Sequence, residues 1–224
     1  CSMSEWPVVP LPLVLNARQY HWLTTGDLTV VACPIPLEDQ PHPIDGLRWN
    51  ARHKRQEELA VGPLETKHGP MEALWWEFSL ASYQKNPQQR PRPYAIATCP
   101  FRHVGREFYL TEPWTDVNGR VEYFYDTYVG IAPPQGRKWR SAIRMKREYA
   151  RVFVRIEEIG VRQVWDITKR ELQALDMRIL AEYEAYWNAR NYLKGVAWEQ
   201  NPWEWVARVS VTKGRIEASI DDSD

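Results

Sequence analysis

Three separated stretches of this chain alternate apolar and polar residues with period two, and that pattern constrains the fold more than any other feature. From Glu107 to Glu112, the residues Phe108, Leu110 and Glu112 share one face and Tyr109 and Thr111 the other. From Arg151 to Trp165, the residues Val152, Val154 and Ile156 oppose Arg151, Phe153, Arg155 and Glu157, and Gly160 is expected to mark a bulge or turn. Near the end of the chain, Trp203, Trp205, Ala207, Val209 and Val211 form the inward face of a last strand. Between the second and third stretches the period changes. Thr168-Lys169-Arg170-Glu171 is a capping box, and Leu172, Leu175, Ile179, Tyr183 and Trp187 follow at spacings of three and four. This predicts one amphipathic helix running to about Asn191. Strands in the majority, with helices and mixed connections, predict an α+β domain around a small, curved sheet or barrel.

The remaining segments fill in that outline. Leu11 to Leu15 reads as a short buried strand, Asn16 as a helix N-cap, and Ala17 to Thr25 as a helix closed by Gly26. Leu28 to Ala32 reads as a strand ended by Cys33-Pro34-Ile35-Pro36, and Val121 to Val129 as an aromatic-rich strand. Residues 37–93 differ in character. They carry many of the prolines, a basic cluster (Arg52, His53, Lys54, Arg55) and an apolar knot at Leu74-Trp75-Trp76. They read as an insertion, a long irregular excursion with one short helix, after which regular structure resumes at Tyr94. The domain is therefore expected over residues 11–212 with an insertion at about 37–93. A tail over 1–10 precedes it, in which Cys1-Ser2 reads as appended ahead of Met3. An acidic, frayed tail over 213–224 follows.

Composition narrows the function classes. The chain has 29 basic and 29 acidic side chains, so its zero net charge excludes a broadly basic nucleic-acid coat but leaves room for a local patch. Its 44% hydrophobic content argues against disorder, and no apolar run approaches the roughly 18 residues of a membrane helix. The first residues lack the charged start and apolar centre of a signal peptide. Three cysteines (Cys1, Cys33, Cys99) cannot form a paired framework, which points to a reducing cytoplasm. Cys99 and His103 lie four apart, but without a Cys-x-x-Cys or His-x-x-x-His pair no metal site is expected, and no cofactor. Nucleophile-elbow, phosphate-loop and dinucleotide fingerprints are absent.

Several residues carry binding chemistry. Glu112 falls on the face of Phe108 and Leu110, where an ionised carboxylate needs a partner or a cavity mouth. It could accept from a base's exocyclic amine, act as a general base, or be a structural carboxylate paired to Arg140 or Arg144. The segment from Arg137 to Arg147 packs six basic residues (Arg137, Lys138, Arg140, Arg144, Lys146, Arg147) around Trp139. A guanidinium fork binds phosphate and an indole stacks on a base, so this composition suits single-stranded nucleic acid or a nucleotide, on a loop after Pro133-Pro134 and Gly136. Its bland reading is a solvated hairpin balanced by Glu148, Glu157 and Glu158. Tyr123 and Tyr125 are expected on one strand face and Phe124 on the other, one set in the core and the other available to wall a base pocket. Arg48, Arg52, Lys54 and Arg55 make a second basic patch, and Trp75-Trp76 is expected to anchor the excursion.

Four stretches, in order, resemble the ASCH family, a branch of the PUA-like barrels, and specifically its phage and prophage members. They are Leu15 to Tyr20 leading through Thr25-Gly26 to Thr29; Cys99-Pro100-Phe101 with Gly105 to Trp114; Trp139-Arg140-Ser141-Ala142 with Met145; and Asn201-Pro202-Trp203-Glu204-Trp205-Val206. The resemblance spans residues 11–36 and 94–212. It implies a PUA-like (ASCH) small β-barrel with flanking helices, here with a long irregular insertion, and roles centred on RNA, modified nucleobases and nucleosides. One branch of the family hydrolyses acetylated cytidine with a lysine and threonines of the N-terminal segment and a strand carboxylate. Here Leu28 stands where that lysine is expected, Val31 where the second threonine would be, and Ala32 where a basic residue is usual, leaving Thr29. A leucine cannot shuttle a proton, so the hydrolytic arrangement is dismantled. The expectation is a protein that binds RNA, DNA or a modified nucleobase, with Glu112, Trp114, Tyr123, Tyr125 and Thr29 reading the base. Arg137, Lys138, Trp139, Arg140 and Arg144 would hold phosphate and stack. The alternatives are an amidohydrolase-like enzyme acting through Glu112 on an acylated nucleoside, and a non-catalytic phage protein that contacts a host protein through residues 37–93.

Overall fold

The computed structural model describes residues 11–14, 17–26, 29–41, 47–51, 54–67, 69–86, 95–129, 138–175 and 177–213. Among these, the elements run β1 (Leu11–Val14), α1 (Ala17–Thr25), β2 (Val30–Pro34), β3 (Leu47–Asn50), β4 (Arg55–Thr66), β5 (Gly69–Trp76) and α2 (Glu77–Lys85). They continue with β6 (Ala95–Thr98), β7 (Glu107–Thr111), β8 (Trp114–Val117), β9 (Arg120–Tyr123) and β10 (Val152–Gln163). The last are α3 (Lys169–Ala174), α4 (Leu180–Asn191) and β11 (Trp203–Lys213). The chain is thus a sheet-rich α+β protein. No described helix is long and apolar enough to cross a membrane. The expected N-cap at Asn16, the start of the strand at Leu28 and the loop holding Arg137 lie outside the described residues.

Two compact units divide the chain. The first comprises residues up to Thr29, Glu107–Arg155 and residues from Ser210. Here β1 runs parallel to β7, with Leu11 opposite Phe108 and Val14 opposite Thr111. The opening residues of β10 run antiparallel to β7, with Phe153 opposite Tyr109. Phe108, Leu110, Val152 and Val154 are buried as their alternation requires, but β7 is covered on both faces, since Tyr109 and Thr111 are buried too. Gly26 closes α1 at φ 86°, where a side chain would be strained. β8 and β9 form a hairpin whose turn residues, Asn118 and Gly119, both have positive φ (53° and 80°). That is the Asn-Gly turn whose twist matches the strands. The aromatic segment is only partly a strand. It ends at Tyr123, and Phe124–Val129 winds into a 3-10 helix, so Tyr123, Phe124 and Tyr125 do not alternate across one strand.

The second unit comprises Val30–Arg106 and Ile156–Val209. In it β2 pairs antiparallel with β11, from Glu204 opposite Pro34 to Arg208 opposite Val30. Residues 37–93 were expected to be irregular, and that is corrected here: β3, β4, β5 and β6 form a four-stranded sheet with α2 packed on it. β4 and β5 pair in eight-residue register from Leu59 opposite Trp76 to Thr66 opposite Gly69. Gly62-Pro63 hid this strand, since a proline lacks a ladder donor. Pro63 lies past the residues of β4 that pair with β3 (Arg55 to Glu58), so its missing N–H breaks no bond to that neighbour. Trp75 is the centre of this part. It is fully buried, stacks on Tyr83 at 5.0 Å between ring centroids, and donates from Nε1 to the Gly62 carbonyl at 3.3 Å.

Of the bulge or turn expected at Gly160, the turn is excluded, because β10 continues through it as one strand. A further expectation changes on the structure. The single helix to Asn191 is two helices. Thr168 and Glu171 make both bonds of the capping box, but α3 ends at Ala174 and the Met177 N–H donates back to the Leu172 carbonyl at 2.9 Å. Met177 is buried and Ile179, extended at φ −137° and ψ 155°, points outward at 58% exposure. Leu172, Leu175, Tyr183 and Trp187 are buried as their spacing required. Replacing Trp75→Ala removes the ring beneath α2 and its bond to Gly62, and should cost about 3–5 kcal/mol in denaturant unfolding.

Candidate nucleic-acid interface

Glu112 follows β7 and is fully buried, in the first unit. Its partner is neither Arg140 nor Arg144 but Arg151, the residue before β10. Arg151 Nε donates to Glu112 Oε1 and Nη2 to Oε2, both at 2.9 Å, a bidentate fork. The third nitrogen, Nη1, meets Asp126 Oδ1 at 2.7 Å, and the guanidinium lies 3.9 Å from the centre of the Tyr123 ring. The Tyr20 hydroxyl of α1 hydrogen-bonds the same carboxylate, and its ring packs edge-on against Tyr125 at 5.2 Å. Tyr123 donates to the Tyr149 carbonyl at 2.8 Å.

The electrostatics follow from this enclosure. Burial pushes the Glu112 carboxyl up, against the pull of Arg151 and Tyr20. Burial also disfavours the Arg151 charge, but Glu112, with Tyr20 and Asp126, offsets it and holds the guanidinium above its ordinary range. The Tyr20 hydroxyl is pushed up by burial and then by the Glu112 charge. With both oxygens engaged and no exposed atom, the carboxylate ties α1, the end of β7 and the entry to β10 together.

The basic and aromatic residues meet elsewhere in the same unit. Arg140 pairs with Trp114 through its backbone, N to O at 2.8 Å and O to N at 3.2 Å. This bridge lays the Arg140 guanidinium 4.7 Å from the Trp114 ring, which is itself buried and backed by Tyr149 at 4.7 Å. Phe124 meets Trp139 edge-to-face at 5.3 Å and fixes that half-buried indole. Thr115, Val117, Lys138, Trp139 and Arg140 line an open groove of about 590 Å³. Lys138, Arg140 and Arg144 are exposed, and Arg144 sits in a short 3-10 turn, Ala142–Arg144. Thr29 is exposed. The groove therefore gathers Lys138, Trp139 and Arg140, over Trp114. Glu112, Tyr123 and Tyr125 belong to the Arg151 network.

In the second basic patch two arginines share one buried carboxylate, while Lys54 is exposed. Arg48 Nε donates to the fully buried Glu57 at 2.8 Å, Arg55 lies 3.9 Å from its other oxygen, and the two guanidiniums rest over Trp76 and Phe78. Arg52 lies outside the described residues. Among the described residues no three His, Cys, Asp or Glu side chains converge as metal ligands.

Arg151, Tyr20 and Asp126 escaped the sequence reading. The signal was present in Glu112 itself, since a carboxylate on an apolar face demands a cation, but spacing could not say which one. Glu204 escaped for a different reason: it lies between Trp203 and Trp205, on the face of β11 that alternation assigns to solvent, yet it is fully buried. The chain matches no family model, no curated protein and no solved structure. Removing the cation by Arg151→Met strands a buried carboxylate and should destabilise the protein by about 3–5 kcal/mol, whereas the double change with Glu112→Leu should recover most of that loss in the same unfolding measurement.

Proposed function

We propose that this protein binds single-stranded nucleic acid or a modified nucleobase in the manner of the PUA-like, ASCH-type proteins its sequence resembles, with the Trp139 groove as the contact surface. The observation that carries this reading is an indole held edge-on by Phe124 between two exposed cations, Lys138 and Arg140, along an open groove. A fixed aromatic face accepts any base by stacking without losing much conformational freedom, and flanking cations take the phosphates. Arg140 is already oriented by the Trp114 ring and the backbone bridge, so little of its freedom is lost on binding. Arg144 is a further exposed cation four residues along the chain from Arg140, outside the groove lining. The protein as a whole is neutral, so the attraction is local and short in range.

The geometry favours this surface over a base pocket at Glu112, whose two oxygens are held by Arg151. It gives less support to an acyl-nucleoside hydrolase, which would need that carboxylate free beside a lysine. A protein-docking surface built on Trp75 has less support too, because that ring is fully buried.

Tryptophan-fluorescence titration with short single- and double-stranded RNA and DNA, and with modified nucleosides, at two salt concentrations tests the proposal. Saturable binding to single strands should weaken as salt rises. Trp139→Ala should cost about 1–3 kcal/mol of binding. Lys138→Ala and Arg140→Ala should each weaken binding across all sequences and lower the salt slope by roughly one. Silence across the panel, or affinity untouched in all three variants, would overturn the assignment. Salt-indifferent capture of a free nucleoside would move the site to the Glu112 network.

A further inference from the structure

The second unit contains a buried charge cluster that the nucleic-acid reading does not use. Glu204 on β11 is fully buried. Its Oε1 accepts from Arg162 Nε of β10 at 2.8 Å, while its Oε2 has no hydrogen-bond partner among the described residues. Arg162 turns its Nη1 to both oxygens of Glu171, at 2.7 and 2.8 Å, and Glu171 is the carboxylate of the α3 capping box. One guanidinium thus serves two carboxylates.

The other groups facing Glu204 leave that imbalance in place. Tyr183 approaches from α4 and Cys33 from β2, and burial pushes both upward, so both are neutral at neutral pH. The Lys194 amine stands near Cys33 and donates to Asn191 Oδ1 at 3.3 Å. With both carboxylates ionised, the cluster around Arg162 holds one negative charge in excess. Glu171 keeps its charge, because the Thr168 bonds and Arg162 outweigh the upward push of burial and hold it below the usual range. Burial pushes Glu204 up to about 7 despite Arg162, so the proton belongs on Glu204.

We propose that Glu204 is a proton-operated latch, closed when its carboxyl is protonated and loosened when the proton leaves, with Arg162 as the moving part. In the closed state Arg162 is balanced one-to-one by Glu171, and its Nε–H still donates to Oε1. It fastens α3 to the β10 and β11 strands. Loss of the proton puts a second negative charge beside the one guanidinium, on the fully buried Glu204, and water or a cation reaching Oε2 as Arg162 shifts relieves it. Arg162 also lines a groove of about 220 Å³ on this sheet face, with Val30, Gly160, Val206 and the Glu158–Arg208 ion pair at 3.2 Å. Loosening the latch therefore reshapes one wall of that groove.

The sign of the pH dependence follows from linkage. A carboxyl whose pKa is higher folded than unfolded binds more protons in the folded state between those two values, so stability falls as pH rises across that window and levels off above it. Thermal unfolding of the full chain from about pH 5.5 to about pH 8.5 should show Tm falling by about 4–8 °C. Glu204→Gln, which keeps the shape and the acceptor but not the charge, should abolish most of that fall and match or exceed the parent at the alkaline end. A 13C NMR titration of the Glu204 carboxyl, which needs no variant, should place its midpoint near neutrality. A flat parent profile, the same slope in Glu204→Gln, or a Glu204 carboxyl titrating in the ordinary range would overturn the latch.

Discussion

Burying a carboxylate is costly unless a cation goes in with it, and this requirement organises both units of the protein. Glu57, Glu112 and Glu204 are each fully buried, and each is answered by an arginine: Arg48, Arg151 and Arg162. Arg48–Glu57 joins the neighbouring strands β3 and β4, whereas Arg151–Glu112 and Arg162–Glu204 join elements about forty residues apart. Arg151 brings the entry of β10 to the end of β7, and Arg162 brings β11 and α3 to β10. Their strength lies less in net stability than in intolerance of error, since a strand that slipped by one residue would leave a bare charge in the interior. Glu112 is the most fully matched, with a bidentate fork and the Tyr20 hydroxyl. Glu204 is the least, with one oxygen unbonded. The first is suited to rigidity and the second to response.

The geometry of the Trp139 groove depends on that rigidity. Asp126 holds the outer nitrogen of Arg151, and Asp126 lies in the same 3-10 helix as Phe124, whose ring fixes Trp139. The Arg140 bridge to Trp114 fixes a second residue of the groove lining. Buried ionic contacts and surface aromatic contacts are therefore successive layers of one construction, in which the inner layer sets the positions of the outer one.

Much of the fold was legible where the physical rule is local. The helix from Ala17, the capping box at Thr168, the strand from Glu107 and the inward face of β11 all follow from spacing and from backbone donors that need a cap. The sheet over β3 to β6 was not legible, because Gly62-Pro63 and a buried Glu57 break the apolar alternation that marks a strand. The break after Ala174 was invisible too: Ile179 continues the helical spacing, and only packing chose Met177 to be buried in its place. For the site, the sequence drew attention to Glu112 and to the run of cations around Trp139, but assigned the wrong partner to Glu112.

By itself the sequence determined which residues alternate, where helices begin, and that a neutral chain carries a concentrated basic and aromatic run around Trp139. Only the tertiary structure decided which arginine meets which carboxylate, that Arg140 lies on Trp114, and that Glu204 is buried on the face expected to meet solvent. The physical reason is range. Periodicity and capping act within one or two turns of chain, whereas the partner of a buried charge is chosen by what the folded neighbours bring within about 3 Å of it.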